Sequence, residues 1–283
     1  MELGWAGAVG RSEEHLEAEQ LYHLASSTLL RAGVPFLVGG SYALAFYTPL
    51  GRKTKDFDVF VRPAHVAWAL RALAAAGFDT DLVFPHWLGK AIHGERFIDV
   101  IFGSGNGVAI VDDEWFTHAV PGSIFGLPMR LCAPEEMLWS KAFVCERERF
   151  DGADVLHLLR DCGGALDWER VLRRFGSHWR VLYAHMVFYG FVYPTLPHAI
   201  PAWVSKELAA RMANQPATPG AEPPLCCGTL LSREQYLVDV EQLGYRDARL
   251  DDPEVRMTAE DVARWTAAIP GKEPKAWPKK SRV

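Results

Sequence analysis

The sequence predicts an α/β (α+β) fold, in which a small mixed sheet with flanking helices is followed by a helical domain. Two stretches rich in β-branched and aromatic residues, residues 56–61 and 97–102, predict buried strands. A helical pattern at residues 63–76 lies between them and ends at Gly77. Residues 167–193 are strongly apolar and aromatic, which is typical of the core of a helical domain.

The chain is long enough for one large domain or two modest ones, and we expect two. The sheet domain is predicted over residues 1–130 and the helical domain over residues 131–270. A Pro-rich linker is predicted at residues 214–224. The tail, residues 271–283, is basic and Pro-rich and is predicted to be disordered.

The other elements of the sheet domain follow from spacing, caps and turns. Helical spacing of leucines predicts a first helix, with Ser12 as its N-cap and Gly33 at its end. A short strand then runs into Gly39-Gly40, and Ser41 is predicted to cap a helix through about Tyr47. The first helix covers residues 12–32 and the short strand residues 35–38. Further strands are predicted at residues 78–84 and, as an antiparallel pair, at residues 88–93 and 96–102.

Capping residues also predict the helices of the second half. Asp112 begins a short helical segment, and the acidic cluster that starts there is read as a cap. Pro134 opens a helix that has acids in its first turn. Asp151 is the predicted cap of the next helix, and Ser232 the predicted cap of a helix over residues 231–243.

Composition indicates a soluble protein of the cytoplasm. The net charge is −5, so no global basic field attracts polyanions. The five cysteines show no framework spacing, and we expect reduced thiols and no disulfides. No signal peptide is recognised, and the longest apolar stretch, residues 181–193, is too short to span a bilayer. We therefore expect no membrane partner.

Two aspartates one residue apart are the strongest chemical signal. On a strand, Asp56 and Asp58 project from the same face, about 7 Å apart, while Phe57 points to the other face. Two such carboxylates repel unless a cation lies between them. Mg²⁺ takes oxygen ligands from one or two carboxylates together with substrate phosphates. The pattern therefore predicts a divalent metal site.

A third carboxylate is available on a second predicted strand. Asp99 interrupts the buried run FIDVIF, and an ionised carboxylate there needs a partner. It would complete the metal site with Asp56 and Asp58. The alternative is a salt bridge from Asp99 to Arg96 or Lys90.

The residues Gly39-Gly40-Ser41 link a strand to a helix. Amides at the start of such a helix can receive phosphate oxygens, and glycine allows the backbone to approach a ligand closely. A plain strand-turn-helix is the competing interpretation. The Asp-x-Asp pattern downstream favours the phosphate-binding role.

These residues resemble those of a known family. Gly39-Gly40-Ser41, the stretch GRKTKDFD at residues 51–58 and the later Asp99 are similar to the nucleotidyltransferase fold of the DNA polymerase β superfamily. The most similar members are the small bacterial aminoglycoside and lincosamide nucleotidyltransferases and the toxin-type enzymes of phage defence. The resemblance covers roughly residues 30–160. It implies that the sheet domain is nucleotidyltransferase-like and catalytic.

The resemblance implies the roles of the site residues. Asp56, Asp58 and Asp99 would be the catalytic carboxylates and would hold two Mg²⁺ ions, with Asp99 near the nucleophilic oxygen. Gly39, Gly40 and Ser41 would bind the triphosphate through backbone amides. By the same resemblance, Lys141 would contact phosphate. Without the resemblance, a lone lysine on a helix is expected to face solvent.

Lys53 and Lys55 precede the carboxylates, and two interpretations stay open. They would bind the nucleotide by neutralising its triphosphate, or they belong to an ordinary solvated turn.

The expected activity is metal-dependent transfer of a nucleoside monophosphate from an NTP to an acceptor hydroxyl or phosphate. The net charge favours a small-molecule acceptor over tRNA. The basic tail and the lysines near the proposed cleft favour RNA instead. Three alternatives remain: a toxin-like enzyme that modifies tRNA or protein, a protein of this fold that binds nucleotide without catalysis, and a non-enzymatic interaction protein.

Overall fold

The computed structural model describes residues 13–50, 54, 56–214 and 222–269. Within these ranges the strands are β1 (Leu37–Val38), β2 (Asp56–Phe60), β3 (Asp79–Phe84), β4 (Leu88–His93), β5 (Arg96–Ile101), β6 (Val120–Ile124), β7 (Leu127–Leu131), β8 (Leu225–Cys226) and β9 (Arg246–Asp247). The α-helices are α1 (Glu13–Arg31), α2 (Gly40–Tyr47), α3 (Val66–Ala75), α4 (Asp113–Thr117), α5 (Pro134–Ala142), α6 (Gly152–Cys162), α7 (Trp168–Phe175), α8 (Trp179–Val192), α9 (Ala202–Ala213), α10 (Leu237–Glu241), α11 (Ala248–Asp251) and α12 (Ala259–Ala267). Short 3₁₀ helices lie at Pro63–His65, Gly176–His178, Pro197–Ala199 and Gly228–Leu230.

The first seven strands form one mixed sheet in the order β3-β4-β5-β2-β1-β7-β6. β2 runs parallel to β5 and β1 parallel to β7, while the other neighbours in the sheet are antiparallel. Strands β8 and β9 form a separate parallel pair. The predicted class, a mixed sheet with flanking helices, is confirmed, as is the antiparallel pair of β4 and β5.

The alternation of side chains along β2 separates a structural face from a polar face. Phe57 and Val59 are fully buried beneath α1 and α3. Tyr22 of α1 stacks on Phe57, with the ring centroids 5.3 Å apart. Asp56 and Asp58, at the alternate positions, point to the opposite face of the sheet. One side of β2 therefore anchors the sheet, and the other side carries the carboxylates.

The helices after the sheet pack on the face that carries the carboxylates. Phe60 stacks on Trp115 with a centroid distance of 5.3 Å, and both belong to a core that continues into α5–α9. Helix α5 is fixed to α7 by buried ion pairs. Arg170 lies 2.6 Å from Glu135 and 2.8 Å from Glu136. Such a paired and hydrogen-bonded network holds α5 in a defined position above the sheet.

The capping predictions have mixed outcomes. Helix α2 begins at Gly40 with Gly39 as its N-cap and no capping side chain, so the prediction that Ser41 caps this helix is wrong. Ser41 already lies inside the first turn. Asp151 is the N-cap residue of α6, but its side chain makes no capping bond, because it pairs with two cations described below. Asp112 caps α4 as predicted.

Two predictions in the second half are also corrected. The helix expected over residues 231–243 is only the short α10, and the Ser232 hydroxyl accepts the Gln235 N–H in the turn before it. Phe188 and Phe191 of α8 were expected in the core but are exposed. Helix α8 buries a single face, so an apolar run did not mean burial on all sides.

Several predictions fall outside the described residues: Ser12, Lys53, Lys55, most of the linker and the tail. In the described part of the chain, no helix has the length and apolar character needed to cross a membrane. All five cysteines are free thiols. The division of the chain near residue 130 stays a prediction.

Candidate active site

Three carboxylates meet on the polar face of the sheet. Asp58 and Asp99 are register partners on the parallel strands β2 and β5, and Asp56 precedes Asp58 by one period of the strand. One carboxylate oxygen of each residue lies within 4.8 Å of those of the other two. The structure thus brings together the three residues that the sequence predicted for the metal site.

The electrostatics of this cluster favour a bound cation. Burial raises the pKa of Asp58 to about 7, and the neighbouring Asp56 and Asp99 carboxylates raise it in the same direction. Burial also raises the pKa of Asp99, although a hydrogen bond and the charge of Lys90 lower it. Burial and neighbouring negative charge disfavour the ionisation of Asp58 and Asp99, and a bound cation relieves that cost.

Asp99 is also salt-bridged, as the alternative interpretation had it. The Lys90 Nζ donates to Asp99 Oδ1 at 2.6 Å, and Lys90 is the residue directly opposite Asp99 on β4. The ammonium group lies 3.8 Å from the centroid of the Phe97 ring. The carboxylate therefore pairs with a lysine and faces the other two aspartates at the same time.

The two glycines are explained by their approach to β2. Gly40 has a φ of +55°, and a Cβ there would overlap the Asp58 carboxylate. The Gly39 N–H donates to the Asp58 carbonyl at 3.0 Å, and a Cβ at Gly39 would overlap the Phe60 ring. These contacts place the start of α2 against Asp58. Of the three residues predicted to bind phosphate, Gly40 lines the cavity described next; Gly39 and Ser41 are not among its described lining residues.

Lys141 is not the solvent-facing lysine that its helical position alone would suggest. Its Nζ lies 3.0 Å from Asp151 Oδ2 and 2.9 Å from Asp154 Oδ2. Although burial acts to lower it, the pKa of Lys141 is raised by these two carboxylates. Arg149 donates two bonds to Asp151, each 3.0 Å long. Lys141 and Arg149 are thus both paired with Asp151.

A cavity of about 360 Å³ lies over the carboxylates. Its lining includes all three of them, together with residues from loops and helices distant in sequence: Gly40, Trp87, Ser104, Asn106, Lys141, Glu146, Arg149, Asp151, Leu230, Arg233 and Trp265. We did not predict Arg149, Arg233, Trp87 or Trp265 as site residues from the sequence. The Lys–Arg–Asp pattern of residues 141–154 was a usable signal for Arg149, whereas the other three had none.

Trp265 of α12 forms an aromatic wall of this cavity. It packs so closely on Gly105 that a Cβ there would lie 2.5 Å from the indole ring. The ring of Trp87 is perpendicular to it at 5.4 Å, and the Arg233 guanidinium lies 4.5 Å from its centroid. The C-terminal part of the described chain therefore completes the site at the end of β5.

Comparison of the sequence with protein-family models and with curated proteins gives no match. Among solved structures, the chain is similar to the antibiotic-resistance factor ANT(2'')-Ia in solution, with 17% identity, a TM-score of 0.41, and coverage of 62% of this chain and 98% of that one. It is similar to the lincosamide antibiotic adenylyltransferase LnuA bound to lincomycin, with 14% identity, a TM-score of 0.37, and coverage of 52% and 96%. It is also similar to JHP933 from Helicobacter pylori, with 15% identity, a TM-score of 0.37, and coverage of 71% and 96%.

Proposed function

We propose that this protein is a Mg²⁺-dependent nucleotidyltransferase of the cytoplasm. It transfers a nucleoside monophosphate from an NTP to a hydroxyl or phosphate group of a small-molecule acceptor. The observation that carries the proposal is the cluster of Asp56, Asp58 and Asp99 on two adjacent parallel strands, beneath a cavity.

The donor set fits Mg²⁺. Three carboxylates supply only hard oxygen ligands, and their ligand atoms lie close enough to share ions. Asp56 and Asp58 would hold two Mg²⁺ ions, and Asp99 would share in holding the second. When bound, the metal would supply the positive charge that an in-line displacement at phosphorus requires.

The chain offers several groups for the triphosphate. The first amides of α2 begin at Gly40, beside Asp58, where a helix N-terminus favours an anion. Lys141 and Arg149 line the same cavity and carry positive charge. Their shared partner Asp151 holds them in place, so they would orient the nucleotide without a large loss of side-chain freedom.

Asp99 would act on the acceptor. Its Oδ1 is engaged by Lys90, and among the described residues Oδ2 has no hydrogen-bond partner. That oxygen would accept the proton of an acceptor hydroxyl. Trp87 and Trp265 line the cavity near the end of the strand that carries Asp99. An aromatic wall and a cavity of about 360 Å³ suit a small molecule.

The test is incubation of the protein with each of the four NTPs, Mg²⁺, and pools of small molecules and of tRNA. We expect pyrophosphate release and, by mass spectrometry, a small-molecule product whose mass has increased by one nucleotidyl group. Asp58→Asn should abolish the product, while Asp79→Asn, a control on the exposed edge strand β3, should retain it. Robust labelling of the tRNA pool would contradict the acceptor class, and no metal-dependent transfer to any acceptor would contradict the proposal.

A further inference from the structure

Lys90 lies between two acids on neighbouring strands. It is the register partner of Asp99 on β5 and of Asp81 on β3. Directly opposed residues in antiparallel strands share one face, with Cβ atoms about 5 Å apart. In the structure Lys90 is paired with Asp99 at 2.6 Å, and the two side chains are 25% and 15% exposed. Asp81 is exposed. A lysine with a flexible stem can therefore reach either carboxylate.

The charge of Lys90 acts on one side of the carboxylate cluster. Lys141, which lines the cavity, is engaged by Asp151 and Asp154. Asp56 and Asp58 have no such lysine bond among the described residues. Lys90 thus acts directly on Asp99 and is bonded to neither Asp56 nor Asp58.

We propose that Lys90 is a built-in competitor of the second metal ion. The protein holds one divalent ion firmly at Asp56 and Asp58. A second ion and the Lys90 ammonium group compete for the negative charge of Asp99, and Asp81 receives the ammonium group when the ion displaces it. Lys90 is a positioning residue that acts through Asp99. This inference rests on the metal site of the proposed function.

A purely structural salt bridge would have a different consequence. A cross-strand pair stabilises the sheet by a modest amount, so its loss would lower the melting temperature and leave the number and affinity of bound ions unchanged. A competing cation is instead expected to weaken the second ion selectively. Removing a unit charge a few ångströms from a partly buried site should change ion affinity by about tenfold or more.

The experiment is a titration of the full chain with Mn²⁺ alone. Binding is measured by electron paramagnetic resonance of the free ion and, separately, by calorimetry. For the unaltered protein we expect two Mn²⁺ sites. The first is abolished by Asp58→Asn, and the second binds Mn²⁺ at least about tenfold more weakly than the first. Lys90→Met should tighten the second site by about tenfold and change the first one less. Lys90→Arg, which keeps the charge, should behave as the unaltered protein. Asp81→Asn should weaken the second site further, and Asp79→Asn should not.

The outcomes separate this inference from the proposed function. A first Mn²⁺ site that depends on Asp58, together with a second site unaffected by Lys90→Met, would overturn the role of Lys90 alone. Absence of any Mn²⁺ site sensitive to Asp58→Asn would overturn both. Lys90→Gln provides a second neutral variant if Lys90→Met does not fold, and circular dichroism with thermal melting identifies the folded variants.

Discussion

Asp58 and Asp99 occupy paired positions on two adjacent parallel strands, and Lys90 completes the row from the next strand. Asp99 therefore has the positively charged Lys90 on one side and the Asp58 carboxyl group on the other. Burial raises the pKa of Asp99, and the hydrogen bond and charge of Lys90 act against that rise. The pKa of Asp58 is raised to about 7 chiefly by burial, and no lysine is bonded to it among the described residues.

The metal-free protein should lose stability as the pH rises from about 4 to 7. The raised pKa of Asp58 means that the folded state holds this proton to a higher pH than the unfolded state does. The stabilisation by the protonated carboxyl is full below the ordinary pKa of 3.8 and is lost as the pH passes 7. In EDTA, the advantage of Asp58→Asn over the unaltered protein should grow by on the order of 2 kcal/mol between pH 5 and pH 8 in urea unfolding. Parallel pH profiles for the two proteins would show that Asp58 ionises normally.

Gly40 should be intolerant of any side chain. Gly40→Ala combines a positive φ with an overlap on the Asp58 carboxylate, so we expect a loss of about 2 kcal/mol or more in the free energy of unfolding. Gly94→Ala is the matched control, because Gly94 has a φ of +62° but no atom within 4 Å of its added Cβ. That control should lose about 1 kcal/mol. Equal losses would mean that the contact with Asp58 is unimportant.

The amide of Ser41 should contribute to nucleotide binding. Ser41→Pro removes one donor in the first turn of α2, where proline is tolerated. Calorimetry with an NTP and Mg²⁺ should show about tenfold weaker binding, since a hydrogen bond to a charged group is lost. Ser41→Ala keeps the amide and should bind as before. If the folded proline variant binds with equal affinity, the Gly39–Ser41 turn has only a structural role.

Trp265 should affect the acceptor more than the nucleotide. Trp265→Ala removes an aromatic wall near the end of the Asp99 strand, so we expect the KM of the acceptor to rise by about tenfold. NTP affinity should change by less than about threefold, because the groups proposed to hold the triphosphate lie elsewhere. Trp203→Ala, on α9, is a control outside the cavity. A parallel loss of NTP affinity would place the nucleotide, and not the acceptor, against Trp265.

The parts of the site that were predictable from the sequence depend on local rules. The alternation of side chains along a strand placed Asp56 and Asp58 on one face, and a second buried strand with a single acid supplied Asp99. Gly39 and Gly40, at the start of α2, were also recognisable. Glycine is required at these positions because α2 approaches β2 closely, and a turn pattern in the sequence does not specify that approach.

The remaining features required contacts between residues far apart in the chain. Trp265 lines the cavity because α12 packs on the loop that contains Gly105. The hydrophobic periodicity of the sequence does not predict that contact. Ser41 was misassigned because the N-cap is Gly39, two residues earlier, and α2 begins at Gly40, where glycine can take a positive φ. Phe188 and Phe191 were assigned to the core from composition, although burial depends on which face of α8 meets its neighbours.

The most direct measurement of the central claim is a crystal structure of the full chain with Mn²⁺ and a non-hydrolysable NTP analogue. The anomalous signal of Mn²⁺ identifies the ion independently of any model of the ligand. The account predicts an ion at about 2.2 Å from oxygens of Asp56 and Asp58, with the triphosphate beside Gly40 and Lys141. An anomalous peak away from these aspartates, or a nucleotide bound outside the cavity, would contradict it.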